Sequence, residues 1–168
     1  RDAKILTIYE GTTAIQANDL VGRKTARDGG QTPKALAAQM EKTEAELLKI
    51  GSDDAKAIAH RLAAARSALL DVVNFIVETA SSNPNAAYAG SVPYLMLAGN
   101  VISGWQLARS YAASHQALAN GDSDTAFLQA KQVTARFYAD HILSKAASMR
   151  DSIVRGAESV TAMALEAF

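Results

Sequence analysis

Between Asp53 and Ala80 the apolar residues Ile58, Leu62, Ala65, Leu69, Val72 and Ile76 recur at steps of four, three, four, three and four. Such steps hold side chains on one face of a 3.6-residue helix, whereas a strand needs steps of two. A helix with so long a stripe has to lay it against other helices. The same rhythm appears on both sides. Upstream, Leu36, Met40, Leu47 and Ile50 fit heptad spacing with Thr43 in the remaining slot. That predicts a helix opening at Thr32 as N-cap, with Pro33 in its first turn, and closing at Gly51. Downstream, Ser81-Ser82-Asn83-Pro84-Asn85 is a break. A third helix then opens at Ser91 on Tyr94, Ala98, Val101, Trp105, Ala108 and Ala112, and Asn120-Gly121 stops it. The fourth runs unbroken from Asp122 to Gly156 on Leu128, Ala135, Tyr138, Ile142, Met149 and Ile153, with a last short helix in the remainder.

Four helices joined by short polar turns must run antiparallel to their neighbours, so the predicted fold is all-α, an up-down four-helix bundle. Alanine supplies 35 of the 168 residues, which suits close-packed helices. Gly99 and Gly104 each cost the third helix about 1 kcal/mol relative to Ala, which suggests that another backbone approaches there. Ahead of the bundle lies an apolar run, Ile5, Leu6, Ile8 and Tyr9, ending at Gly11. Thr13 and Gln16 then have the form of a capping box opening a helix over residues 13–27, with Ile15, Leu20 and Val21 as its stripe. Asp28-Gly29-Gly30-Gln31 reads as a linker.

Charge and composition remove several function classes. Seventeen Lys and Arg balance seventeen Asp and Glu, so the electrostatic footprint that nucleic acid or an anionic membrane needs is missing. The chain has no Cys, which excludes disulfides, thiolate metal sites and cysteine nucleophiles, and the default address is intracellular. No window reaches the length of a membrane span, and no leader opens the chain, which therefore reads as soluble. A start at Arg1 without Met suggests a fragment or a processed chain.

Candidate chemistry is sparse within the bundle. His60, His115 and His141 fall on different helices with no partner at metal-ligand spacing. Asp53-Asp54 and Asp122-Ser123-Asp124 sit at helix starts, where carboxylates cap free N–H groups. Trp105 and most Tyr and Phe residues fall on the apolar stripes and read as core. Arg23, Lys24, Arg27 and Lys34 could touch phosphate, but they read first as a solvated helix face. There is no G-x-S-x-G and no phosphate loop. The remaining candidate is Glu10, in Ile8-Tyr9-Glu10-Gly11-Thr12, a carboxylate between an apolar run and a helix start.

The opening RDAKILTIYEGTTAIQ resembles the signature near the C-terminal end of flavin-dependent acyl-CoA dehydrogenases. ANDLVGRK, the Asp-Gly-Gly linker and the helices beyond resemble the 3-methylthiopropanoyl-CoA dehydrogenase-like subgroup, which carries an appended C-terminal helical domain. The resemblance is specific over about 28 residues and softer beyond, mainly over residues 92–113 and 136–168. It implies that residues 1–31 end the catalytic C-terminal domain as a loop plus one helix, and that residues 32–168 are the appended four-helix domain. It also implies roles. Glu10 would be the base that removes the α-proton of an acyl-CoA thioester while hydride leaves the β-carbon for flavin N5. The Glu10 backbone N–H would hold the thioester carbonyl, Tyr9 would line the acyl site, and Thr12 and Gln16 would contact FAD. Ala17 stands where an Arg is frequent, and Arg23 lies one place later than the usual following Arg.

The assignment also makes chemical sense. A thioester α-proton is weakly acidic, so the enolate-like charge needs preorganised donors where it appears. A carboxylate base works best with its pKa lifted toward neutrality, as Ile8, Tyr9 and other apolar neighbours would do. Implied with it are FAD as cofactor, an acyl-CoA substrate, electron-transfer flavoprotein as acceptor, a homo-oligomer and a cytoplasmic address. The chain alone, lacking the other walls of a flavin cleft, is expected neither to hold FAD tightly nor to oxidise acyl-CoA. The competing expectation is a non-catalytic helical interaction or oligomerisation module in residues 32–168.

Overall fold

The computed structural model describes Lys4, residues 12–160 and residues 162–167. Among the described residues eight α-helices follow one another: α1 (Thr13–Val21), α2 (Gln31–Ile50), α3 (Asp53–Thr79), α4 (Pro84–Ala89), α5 (Ser91–Ala119), α6 (Thr125–His141), α7 (Ala146–Arg155) and α8 (Ala157–Val160). Among the described residues there is no strand, and no helix is long and apolar enough to cross a membrane. The all-α bundle is therefore observed. Its fourth helix differs from the expectation.

The centre of the bundle is α3. It packs against α2, α5, α6 and α7, and its whole predicted stripe is buried, together with Ala55, Ala59, Ala68 and Val73. The added residues widen the stripe into a face broad enough for several neighbours. Ser52 caps it, its hydroxyl accepting from the Ala55 N–H at 3.2 Å. Only Gly51 and Ser52 separate α2 from α3, and Gly51 takes the left-handed backbone (φ 78°) that closes α2. On α2, Met40, Leu47 and Thr43 are buried. The Thr43 hydroxyl accepts from the Trp105 indole N–H at 2.9 Å, which explains a polar residue in a heptad slot: it satisfies a buried donor on α5. Nearby, Arg66 of α3 forks onto Glu44 of α2 at 2.8 and 2.9 Å. This hydrogen bonding raises the Arg66 pKa above its usual value, against the opposing effect of burial.

Four expectations need correction. The unbroken helix from Asp122 to Gly156 is two helices, α6 and α7, separated at Ile142 and by a 3-10 turn over Leu143–Lys145. The cause is packing. Leu143 is buried, and a Cβ added at Gly104 would lie 2.6 Å from Leu143 Cδ2. The missing side chain at Gly104 thus admits a side chain rather than a backbone, and the chain bends to deliver it. At Gly99 nothing lies within 4 Å of such a Cβ, so no close approach exists there. Second, the break before α5 contains the short helix α4, which Asn83 caps by accepting from the Ala86 N–H at 3.2 Å. Third, Phe127 and Phe137 of α6 are exposed by 53% and 58%, and Tyr88 is also exposed, so these three are not core. Fourth, the acidic pairs at helix starts act as side-chain caps only in part: Asp122 accepts from the Asp124 N–H at 2.9 Å, but Asp54 and Asp124 do not cap. Asp54 instead receives Arg136 of α6 at 2.7 Å, and Asp124 at the start of α6 makes no capping bond.

The start of α2 also differs. Its N-cap is Gly30, in the left-handed region (φ 75°), not Thr32. Asp28 performs the capping from outside the helix: its carboxylate accepts from the Gly30 N–H at 2.8 Å and the Thr32 N–H at 3.0 Å. The supposed linker is thus a tight, hydrogen-bonded turn. A Cβ at Gly30 would meet Val73 Cγ1 at 2.7 Å, so glycine there answers both a backbone and a space requirement.

Two predictions follow from this packing. Gly104→Ala should destabilise the fold by about 1–2 kcal/mol through overpacking against Leu143, although Ala is the better helix former by about 1 kcal/mol. Gly99→Ala, facing open space, should instead stabilise by up to that propensity difference; urea unfolding of both variants reads the opposite signs. The second concerns acid. Hydrogen bonds from Thr32, then those from Gly30 and Gln31, hold Asp28 below the usual carboxylate range. A depressed folded-state pKa stabilises fully above the unfolded value near 4 and is lost as pH falls through the folded one. Thermal unfolding between pH 6 and pH 2 should show a shallower acid-side decline in Asp28→Ala than in the parent sequence.

Candidate functional site

Of the four residues singled out for chemistry, Tyr9 and Glu10 lie outside the described residues. Thr12 and Gln16 are described, and both are exposed. They stand one turn apart at the start of α1, where the Gln16 N–H donates to the Thr12 carbonyl at 2.8 Å. The capping box read from Thr13 and Gln16 does not form: Thr13 is the first helical residue, the N-cap is Thr12, and its hydroxyl makes no capping bond. The Gln16 amide is therefore not committed to that box. Ile15 is 65% exposed, while Ala17 and Val21 are fully buried. The stripe of α1 is thus Ala17, Val21 and Thr25 at steps of four, and Ile15 faces outward beside Thr12 and Gln16. At Ala17, with no exposed surface, an Arg would have no route to solvent.

After Val21 the helix widens. Residues Gly22–Ala26 form a π-helical turn, marked by five-residue hydrogen bonds from the Arg27 N–H to the Gly22 carbonyl and from the Gly30 N–H to the Thr25 carbonyl. The segment was expected to continue as α-helix to Arg27. Two contacts to the bundle account for the change. Thr25 is fully buried and shares a 2.9 Å hydrogen bond with the Tyr94 hydroxyl of α5, and Tyr88 Oη would lie 2.5 Å from any Cβ at Gly22. Burial raises the Tyr94 pKa, with the Thr25 bond opposing. The Thr25–Tyr94 pair was missed from sequence, although the steps from Ala17 to Val21 to Thr25 carry the signal. Of the basic stretch, Arg23 and Lys24 both reach Asp19, at 2.8 and 3.3 Å.

The bundle itself offers little acid–base chemistry. His60 and His141 are exposed and His115 half-buried, and the His141 ring lies 4.4 Å from that of Phe137. Among the described residues, no three His, Asp or Glu side chains gather where they could hold a metal ion. The Asp140 carboxylate, held below its usual range chiefly by its hydrogen bond from Arg136, belongs to a surface ion network with Arg61, Arg136 and Asp54.

Comparison with known proteins places these features in a family. Residues 36–164 match the family described as acetyl-CoA dehydrogenase C-terminal like. The chain is 48% identical over 165 residues to 3-methylmercaptopropionyl-CoA dehydrogenase of Ruegeria pomeroyi, an alignment covering 98% of this chain and 28% of that protein. It is 34% identical over 165 residues to the broad-specificity linear acyl-CoA dehydrogenase FadE5 of Mycobacterium tuberculosis, covering 91% of this chain and 26% of the relative. A butyryl-CoA dehydrogenase of Syntrophomonas wolfei is 30% identical over 147 residues, covering 85% of this chain and 23% of the relative. The chain thus spans about a quarter of the length of the curated relatives it matches. An all-helical bundle matched by the family over residues 36–164 and by whole dehydrogenases over nearly its full length leads to one assignment: the chain belongs to the acetyl-CoA dehydrogenase C-terminal-like family.

Proposed function

We propose that residues 1–31 complete the catalytic C-terminal domain of an FAD-dependent acyl-CoA dehydrogenase and that residues 32–168 are its appended helical domain. The observation that carries the reading is the 48% identity with a dehydrogenase of acyl-CoA thioesters, an alignment that covers 98% of this chain. The start of the family match at residue 36 supports the boundary near residue 31. Parent substrates are acyl-CoA thioesters, and the electron acceptor is electron-transfer flavoprotein.

Thr12 and Gln16 fit a flavin-contacting role on one structural count. Their side chains are exposed and one turn apart, and the Thr12 hydroxyl caps nothing. In this reading they hold the cofactor by hydrogen bonds. The flavin, when bound, supplies the acceptor for the β-hydride. Glu10 takes the α-proton onto its carboxylate, and the α-carbon electron pair becomes the new double bond as the hydride departs. The Glu10 backbone N–H donates to the thioester carbonyl, where charge builds up in the transition state. Ile8 and Tyr9, the neighbours of Glu10 in sequence, would help to keep water from that carboxylate.

A specific observation favours a second role for the bundle. Phe127, Val133 and Phe137 leave apolar surface exposed on α6, as an interaction or oligomerisation module would. The two roles belong to different segments and are compatible.

In the full-length parent, Glu10→Gln should retain bound FAD while α-proton exchange and turnover fall by about 10²–10⁴-fold. Near-normal turnover would place the base elsewhere. For the module, deletion of residues 32–168 from the parent should change the number of subunits per assembly, read by sedimentation; an unchanged subunit number with unchanged kinetics counts against that role.

A further inference from the structure

A cavity of about 160 Å³ opens between α1, α2, α3 and α5. Its walls are apolar: Leu20, Leu36, Met40, Leu69, Ala98 and Ile102. Thr25 and Tyr94 also line it, but their hydroxyls are bonded to each other at 2.9 Å, so the polar part of the wall is already largely engaged. Among the described residues, Lys24 is the one lining side chain that is charged at neutral pH. It reaches the cavity from the π-helical turn, a geometry that is rare and recurs at functional sites. The charge around it is unbalanced. Among the described residues, Asp19 is the one carboxylate paired with Arg23 and Lys24, and Asp28 is spent on the turn before α2. The mouth of an apolar pocket therefore carries surplus positive charge.

Size and lining define what fits. An apolar cavity of about 150 Å³ stays dry and takes a six-carbon ring such as benzene. An aliphatic chain of about six carbons is of the same order. An ammonium at the rim that shares one carboxylate with a second cation, Arg23, favours a negatively charged end over a neutral one.

We propose that this pocket binds a short aliphatic chain with an anionic head, the chain seated between Leu36, Met40, Leu69 and Ile102 and the head at Lys24. The inference stands on this chain's own residues and is independent of the dehydrogenase reading, because none of the lining residues named above has a role in that reading. A carboxylate and a phosphate monoester share the required chemistry, since an ammonium pairs with either as a point charge.

The test is methyl NMR on the 168-residue chain with hexanoate, hexyl phosphate and hexan-1-ol as separate probes. Hexanoate or hexyl phosphate, or both, should shift the methyls of Leu36, Met40, Leu69 and Ile102 in a saturable way, and the tighter of the two identifies the head group. Lys24→Glu, a change at an exposed position, should weaken that binding roughly fivefold to tenfold. Ala98→Leu, which fills the cavity, should remove it. The proposal is overturned if neither anion moves these methyls at millimolar concentration, if hexan-1-ol binds as tightly as the anions, or if Lys24→Glu binds like the parent sequence.

Discussion

The architecture depends on the burial of one helix on several sides. Because the apolar residues of α3 extend beyond a single heptad seam to Ala59, Ala68 and Val73, no single partner could cover them. The helix is stable only when α2, α5, α6 and α7 surround it. The small side chains on α3 set how closely those neighbours come, and larger residues elsewhere fill what remains: Met40, Leu47, Tyr94, Leu97 and Ile153 are all fully buried or nearly so. Polar groups drawn into this interior are paired with polar partners far along the chain, as with Trp105 and Thr43, or Thr25 and Tyr94, each at 2.9 Å. Desolvation would otherwise cost more than the packing returns.

What was legible in the sequence is what periodicity encodes. The stripes of α2, α3 and α5 and the turns at Gly51 and at Asn120-Gly121 are found where side-chain spacing and glycine placed them. The misreadings share a different cause, namely contacts between residues far apart in the chain. Nothing local in Ile142-Leu143-Ser144 breaks a helix; the bend exists because Gly104, some forty residues earlier, leaves room for Leu143. Thr25 likewise leaves the α-helical path to meet Tyr94, 69 residues away. Asp28 displaced Thr32 as the cap of α2 because a positive-φ glycine can turn the chain back over its carboxylate, a geometry that composition does not announce.

The candidate site was legible in another way. Tyr9 and Glu10 were identified by likeness to a signature, not by any property of the bundle, and they fall outside the described residues. Of the residues implied to contact cofactor, Thr12 and Gln16 were readable as polar positions at a helix start, but not that their side chains would be exposed and free of the capping box. The outward-facing Ile15 beside them was assigned to the core stripe on periodicity. Its exposure means that α1 shows an apolar side chain on the same face as its two uncommitted polar ones, the composition of a surface built to be covered.

The joint between α2 and α3 has a kinetic side. Two residues, one of them already in the left-handed turn conformation, close a hairpin of 20- and 27-residue helices. Bringing those helices together costs little loop-closure entropy, and their mutual contacts lie close in sequence. The later helices arrive through longer-range pairings, with the α6–α7 bend aligned only once Gly104 is there to receive it. The order of assembly is thus biased by chain connectivity toward the half of the bundle that holds Trp105's acceptor ready before the indole arrives.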